Sequence, residues 1–223
     1  MQPGGNISKD AETSHTDYCT FCHRNGIASY ILKETPTFRI VADHAPLIEG
    51  HLLIMPRKHF ACYGDVPAAL DAELSTLKRE VQDFFEQFYA PAVFWEHGVF
   101  RQTVFHAHLH CFPFGETEYQ PAEALHDLVV KSQEDIRAWY ASRGHYFYME
   151  DASNAFLFAP DLEHYFHIIQ KSLWAGVSAR SKQKKWRTPQ QRQEEGKALI
   201  KALATNWHRF QQQEVPYADK ASS

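Results

Sequence analysis

The residues of this chain whose types and spacing could do chemistry are three histidines at strict alternation, His106, His108 and His110. Read as a strand over 105–112, a period of two puts all three on one face and Ala107, Leu109 and Cys111 on the other. A single histidine in an apolar strand is usually a hydrogen-bonded core residue, but three together would have to satisfy several buried nitrogens at once, which is costly. Two chemistries suit such a row. Alternating histidines can chelate one metal ion, or a neutral imidazole can attack phosphorus while its neighbours and nearby amides hold the phosphate oxygens.

The elements that must position them follow from periodicity. Residues 28–32, 38–43 and 50–55 read as strands of an antiparallel meander, bounded by glycine, proline and charged residues. Residues 67–89 carry Leu70, Leu74, Leu77, Val81, Phe84 and Phe88 at alternating spacings of four and three, the apolar stripe of a helix that faces a core. Strands at 92–96 and 105–112 complete the sheet. The expected fold class is therefore α+β, an antiparallel sheet with a long helix packed on one face. Further on, 122–140 reads as helix, 146–150 and 155–159 as a hairpin around residues 152–154, and 162–173 as helix again. These add strands to the same sheet or form a small lobe. Thr188 as N-cap, Pro189 at the first helical position and Gln191 at N3 begin a terminal helix that runs to about residue 212 and docks through Leu199, Leu203 and Phe210. The division expected is a polar, disordered tail over 1–16, a catalytic domain over 17–120 and a C-terminal α/β extension over 121–223 that ends in this helix.

A second chemical signal is Cys19-Thr20-Phe21-Cys22. Cys-x-x-Cys is divided between zinc half-site and redox pair, but a thioredoxin-like site wants the motif between strand and helix, and here Asn25-Gly26 follows as a turn, so metal is favoured. Four cysteines in 223 residues are too few for the framework of a small secreted domain. A net charge of −4 with both signs interspersed offers no basic field for duplex nucleic acid. The basic run Arg180, Lys182, Lys184, Lys185, Arg187 is a solvated loop or a phosphate contact. The sequence contains no run of about eighteen apolar residues and no signal-peptide pattern at its start, so no membrane partner is expected and the default location is cytoplasmic.

The pattern His-apolar-His-apolar-His-apolar-apolar, preceded by Gln102-Thr103, resembles the signature of the histidine-triad superfamily of nucleotide hydrolases and nucleotidylyl transferases. Residues 40–59, IVADHAPLIEGHLLIMPRKH, are similar to the family's nucleotide-binding segment, with its acidic residue, its Gly-His strand and its Pro-basic-basic-His ending. The resemblance spans roughly 17–115. It implies that His108 is a nucleophile forming a covalent nucleotidyl-histidine, with His110 beside the phosphate as orienting or acid-base partner. Imidazole suits that task because its ordinary pKa of about 6.5 leaves it uncharged at neutral pH. Thr103 would donate to a phosphate oxygen and Gln102 would bond near the bridging oxygen or the attacking water. Asp43 matches the ribose-binding position, and Phe38, Ile40 and Leu53 are candidates for a base pocket.

Metal-containing relatives, including the galactose-1-phosphate uridylyltransferase branch, combine a Cys-x-x-Cys pair with two histidines. Carried over, the ligands are Cys19, Cys22, His59 and His106, a closed and hence structural zinc site. The leading expectation is a hydrolase acting at the α-phosphate of a dinucleoside polyphosphate or nucleoside phosphoramidate. A phosphorylase would use the same residues; a transferase to sugar phosphate is less favoured, because that branch carries Gln where His110 stands. From another class, the chain would be a zinc-stabilised nucleotide-sensing or interaction module without turnover. Small members commonly form homodimers, though no residue here marks a dimer edge. The segment Phe94-Trp95-Glu96-His97-Gly98 departs from the Asn-containing turn of familiar small members, and leaves His97 as an added phosphate ligand or a surface residue.

Overall fold

In a computed structural model, the described residues are 19–115, 128–160, 162, 173–180 and 187–213. The strands are β1 (Ile31–Glu34), β2 (Phe38–Ala42), β3 (Leu52–Pro56), β4 (Val93–Glu96), β5 (Leu109–Phe112), β6 (Leu128–Val129), β7 (Phe147–Glu150) and β8 (Ala155–Phe158). They form one sheet of eight strands, ordered β1-β2-β3-β5-β4-β7-β8-β6, with antiparallel neighbours throughout. The described strands of the second half thus extend the sheet rather than building a separate one. Helices α1 (Arg24–Ile27), α2 (Asp71–Phe88), α3 (Gln133–Arg143), α4 (Trp174–Arg180) and α5 (Pro189–Gln213) accompany it.

The sheet has two faces that differ in what covers them. Phe38, Ile40, Leu52, Ile54, Phe94, Leu109 and Cys111 point to the side of α2, whose Leu74, Leu77, Val81 and Phe84 lie in the same cluster as Ile136 of α3 and Leu203, Trp207 and Phe210 of α5. On the other side, Val41, Leu53 and Met55 meet Cys19, Phe21 and Ile27 from the N-terminal segment. Farther along that face, Val93, Trp95, Phe112, Phe147 and Phe158 meet Ile48, Leu173 and Val177. Between these two covers lies His110, which pairs with Leu53 of β3 and Trp95 of β4.

Several element boundaries differ from the sequence reading. Residues 28–32 split into a 3-10 turn, Ala28–Tyr30, and the start of β1. The expected strand at 105–112 shrinks to β5, because the N–H of His106 turns back to the carbonyl of Val104 and that of Ala107 goes to the carbonyl of Phe60. Of the helix expected over 122–140, residues 122–127 lie outside the described residues; in the rest, 128–129 form β6 and the helix begins at Gln133. Its start is a capping box in which the Ser132 N–H reaches Asp135 Oδ2 at 2.9 Å, a local signal that outweighs the apolar spacing before it. Most of the expected helix at 162–173 and of the basic run at 180–187, like the tail at 1–16, lies outside the described residues. The terminal helix starts as expected: Thr188 N–H donates to Gln191 Oε1 at 2.9 Å and Gln191 N–H to Thr188 Oγ1 at 3.2 Å. Leu203 and Phe210 dock it, and Trp207, absent from the sequence reading, is its largest anchor.

Candidate functional site

The tautomers of the three alternating histidines follow from the groups they touch, since a ring nitrogen facing a carbonyl must carry the proton. His108 Nδ1 lies 2.6 Å from the carbonyl oxygen of His106, so it donates there and Nε2 keeps a free lone pair. His106 does the reverse. Its Nε2 donates to the carbonyl of Pro56 at 2.7 Å, which leaves Nδ1 unprotonated and turned toward the Cys19 and Cys22 sulfurs at 3.6 and 3.5 Å. The row is therefore divided: His106 turns to the thiols, while the His108 and His110 rings lie against each other, 4.9 Å between centroids.

His110 is set by a longer chain. The N–H of Leu47 donates to His51 Nδ1 at 3.2 Å, so the His51 proton is on Nε2, which lies 3.0 Å from His110 Nδ1. His51 donates there, and His110 is left with its proton on Nε2. Burial lowers the pKa of both, His51 to about 4, and burial lowers that of His108 too, despite the carbonyl of His106 and the charge of Asp43. Three neutral imidazoles at neutral pH, one offering a lone pair and two offering N–H groups in series, make one nucleophile and one donor.

His51 was not among the residues the sequence singled out as candidates, although its Gly50-His51 pair stood in the quoted segment. The signal was parity: His51 precedes β3 by one residue and shares the face of Leu53, the register partner of His110. Asp43 joins this group, with Oδ2 3.7 Å from His51 Nε2 and Oδ1 accepting the N–H of Ala45 at 2.7 Å. Gln102 is buried; Nε2 donates to the carbonyl of His106 at 3.3 Å, while Oε1 has no hydrogen-bond partner among the described residues. One carbonyl thus orients both His108 and Gln102. Thr103, which follows Gln102, is exposed on the bend that leads to His106.

Cys19, Cys22, His59 and His106 come together with all four donor atoms within 4.8 Å of one another. The Cys22–His59 pair is at 3.3 Å, and no cysteine is in a disulfide. A tetrahedral zinc with sulfur at about 2.3 Å and nitrogen at about 2.05 Å separates such donors by about 3.6 Å, so this set fits the ion. Burial, and then the adjacent Cys19, push the Cys22 thiol up to about 12, so without a cation the site keeps a protonated, desolvated sulfur. Arg39 anchors the segment that brings the cysteines, donating to the carbonyl of Phe21 at 3.1 Å and to Glu34 at 2.8 Å.

Beside Asp43 is an apolar cavity of about 270 Å³, lined by Phe21, Ile27, Tyr30, Val41, Leu53 and Val104 with Thr20, His44 and Gln193 at its margin. Leu53 is where the sequence put it. Phe38 and Ile40 are not: both are fully buried toward α2, because the period of two along β2 sends Arg39 and Val41, rather than their neighbours, to the cavity side. Phe21 was missed, though it sits inside the Cys-x-x-Cys motif; its ring meets those of His106 and His108 at 5.9 and 5.3 Å.

The segment Glu96-His97-Gly98 divides its duties. His97 is half-buried, 6.0 Å from the His110 ring, with its pKa lowered by desolvation to about 4. Glu96 faces the opposite side of the sheet, fully buried, accepting the N–H of Tyr63 and the hydroxyl of Tyr146, both at 2.7 Å. Gly98 has φ +52°, and a Cβ there would stand 2.5 Å from the carbonyl of Tyr146. Val99 at φ 77° and Arg101 at φ 54° continue this tight return toward Gln102, a conformation that costs a β-branched residue of order 1–3 kcal/mol.

Residues 24–117 match the family model described as "HIT domain". An uncharacterized HIT-like protein of Mycoplasma genitalium is 29% identical over 112 residues, which cover 48% of this chain and 79% of that one. Among solved structures, a HIT family hydrolase from Clostridium thermocellum is 24% identical at a TM-score of 0.38, covering 48% of this chain and 97% of its own. A zinc-bound histidine triad family protein from Mycobacterium smegmatis is 22% identical at a TM-score of 0.37, covering 56% and 95%.

Proposed function

Since this chain belongs to the histidine-triad (HIT) superfamily through residues 24–117, we propose that it is a nucleotide hydrolase that cleaves at the α-phosphate of a dinucleoside polyphosphate or nucleoside phosphoramidate. The observation that carries the reading is the bond from His108 Nδ1 to the carbonyl of His106, which holds the Nε2 lone pair free in a neutral ring beside a neutral donor, His110. A row of core histidines would have no use for that arrangement.

In the first step His108 Nε2 forms a bond to the α-phosphorus, and the bond to the leaving oxygen or nitrogen breaks with its electron pair going to that atom. The His110 Nε2–H hydrogen-bonds the leaving atom, which departs as an anionic phosphate oxygen or takes its proton from solvent. In the second step water adds to phosphorus and gives its proton to solvent, and the bond to His108 breaks and returns its pair to Nε2. Gln102 Oε1, buried and unpartnered among the described residues, orients that water, and Thr103 donates to a phosphate oxygen. The base enters the apolar cavity, and Asp43 accepts the ribose hydroxyls. Cys19, Cys22, His59 and His106 hold a zinc ion whose contribution when bound is to staple the N-terminal segment to the strand that carries His108.

The test is to mix the protein with diadenosine tetraphosphate or an adenosine phosphoramidate, follow AMP by chromatography and measure intact mass. AMP release with an adenylyl adduct on His108, abolished in His108→Ala while AMP still binds, is the expected result. Binding of AMP with no product from either donor would replace this reading by that of a nucleotide sensor.

A further inference from the structure

The cavity beside Asp43 is not closed by the family-matching segment alone. Gln193, on the first turns of α5, lines it, and α5 lies some seventy residues beyond the end of that match at residue 117. A second cavity, of about 370 Å³, adjoins the first and shares Tyr30, His44 and Gln193 with it before running along α5 past Lys197 and Ile200. Gln193 therefore stands at the junction, where the edge of a flat group seated in the first cavity would meet it. Its carboxamide makes no hydrogen bond among the described residues.

Two contacts hold α5 against the loop after Asp43, and a third, at its own N-terminal end, orients the arginine that makes one of them. Arg192 Nε donates to the carbonyl of Ala45 at 3.0 Å, and Arg192 Nη1 to the carbonyl of Arg187 at 2.6 Å. Since the N–H of Ala45 is bonded to Asp43 Oδ1 at 2.7 Å, this one residue is held by Asp43 through its amide and by α5 through its carbonyl. One helical turn on, Gly196 packs on Pro46, where a Cβ would come within 2.6 Å of the proline ring. The helix is thus keyed to the loop that carries the ribose-binding candidate and the Leu47 N–H that sets His51.

We propose that α5 completes the nucleoside site in cis, with Gln193 as a specificity-determining residue that hydrogen-bonds the edge of an adenine base. The proposal rests on the reading of the first cavity as the base pocket. A carboxamide presents one donor beside one acceptor, the complement of adenine N6–H and N7; guanine offers two acceptors, O6 and N7, on the same edge and leaves the amide oxygen unpaired. Arg192 is the positioning residue.

The experiment is calorimetric titration of the full chain with AMP and GMP, for the wild type, Gln193→Ala, Gly196→Val and, as a control on the same helix lining neither cavity, Gln190→Ala. Expected are a preference for AMP of about tenfold or more in the wild type, its loss in Gln193→Ala through weaker AMP binding, its reduction in Gly196→Val, and no change in Gln190→Ala. A wild type that binds AMP with a preference left intact by Gln193→Ala, or that binds AMP and GMP alike, overturns the role of α5 while leaving the nucleotide site standing. Failure of the wild type to bind either nucleotide overturns both.

Discussion

His51 acts on the proposed chemistry without touching phosphorus, by deciding which nitrogen of His110 carries the proton. His51→Phe keeps a ring stacked on Phe112, at 4.3 Å between centroids in the native protein, but removes the Nε2–H. The expected outcome in steady-state kinetics is a loss of about a hundredfold in kcat with KM little altered. Equal loss of nucleotide binding would mean that His51 is a wall of the pocket instead. Glu96 poses a different question at the same scale, because burial raises its carboxyl from the usual 4.5 to about 7, against the hydrogen bonds from Tyr146 and Tyr63. The folded state then holds a proton that the unfolded state releases, so stability is full below about pH 4.5 and falls as pH rises through 7. The gap corresponds to about 3 kcal/mol. Denaturant titrations at pH 5 and pH 8 should show that fall in the wild type and a flatter profile in Glu96→Gln; parallel profiles would put the ionised carboxylate at ease in its bonds. Neither role was legible from residue type: a tautomer or a buried acid depends on what lies opposite, and His51 comes to His110, and Tyr146 to Glu96, from distant parts of the chain.

Elements were easier to read than residues. The stripe of α2 and the capping box of α5 are local patterns, and both helices stand where the pattern put them. The strand at 105–112 misled because alternation of apolar and polar residues continues through 105–108 although the backbone does not. There the N–H groups of His106 and Ala107 are taken by Val104 and Phe60, and that turn is what frees His106 to reach Pro56 and the thiols. Trp207 holds α5 by its contact with Phe84, 4.9 Å between ring centroids. Trp207→Ala should cost about 3–5 kcal/mol by chemical denaturation. With α5 loosened, AMP affinity should fall as well, whereas a stability loss with unchanged affinity would place α5 outside the nucleoside site.

At the scale of the molecule, the candidate zinc ligands join the N-terminal segment at 19–22 to two neighbouring strands, through His59 in the loop after β3 and His106 on the approach to β5. Among the described residues no helix is long and apolar enough to cross a membrane. Removing the metal with a strong chelator should lower the midpoint of a single thermal transition, by about 2–4 °C for each ~1 kcal/mol lost. Cys19→Ala should reproduce the shift and bind no zinc by elemental analysis. An unshifted midpoint after verified metal loss would remove the staple from the account.

What the amino-acid sequence determined by itself was the inventory: the alternating histidines, Cys19, Cys22 and His59, Asp43, and the helices flanking them. Motif spacing and helical period are properties of neighbouring residues, and they survive whatever the rest of the chain does. Only the tertiary structure decided how that inventory is used. It turned His106 to the cysteines and His108 to a carbonyl, put Val41 and Phe21 rather than Phe38 and Ile40 at the cavity, brought His51 onto His110, and laid Gln193 against a pocket whose other walls lie more than eighty residues earlier in the chain. The bond of His108 to the His106 carbonyl is local but depends on where the backbone leaves the strand, and the others depend on which carbonyl or ring arrives from a distant strand or helix; no local pattern carries that information.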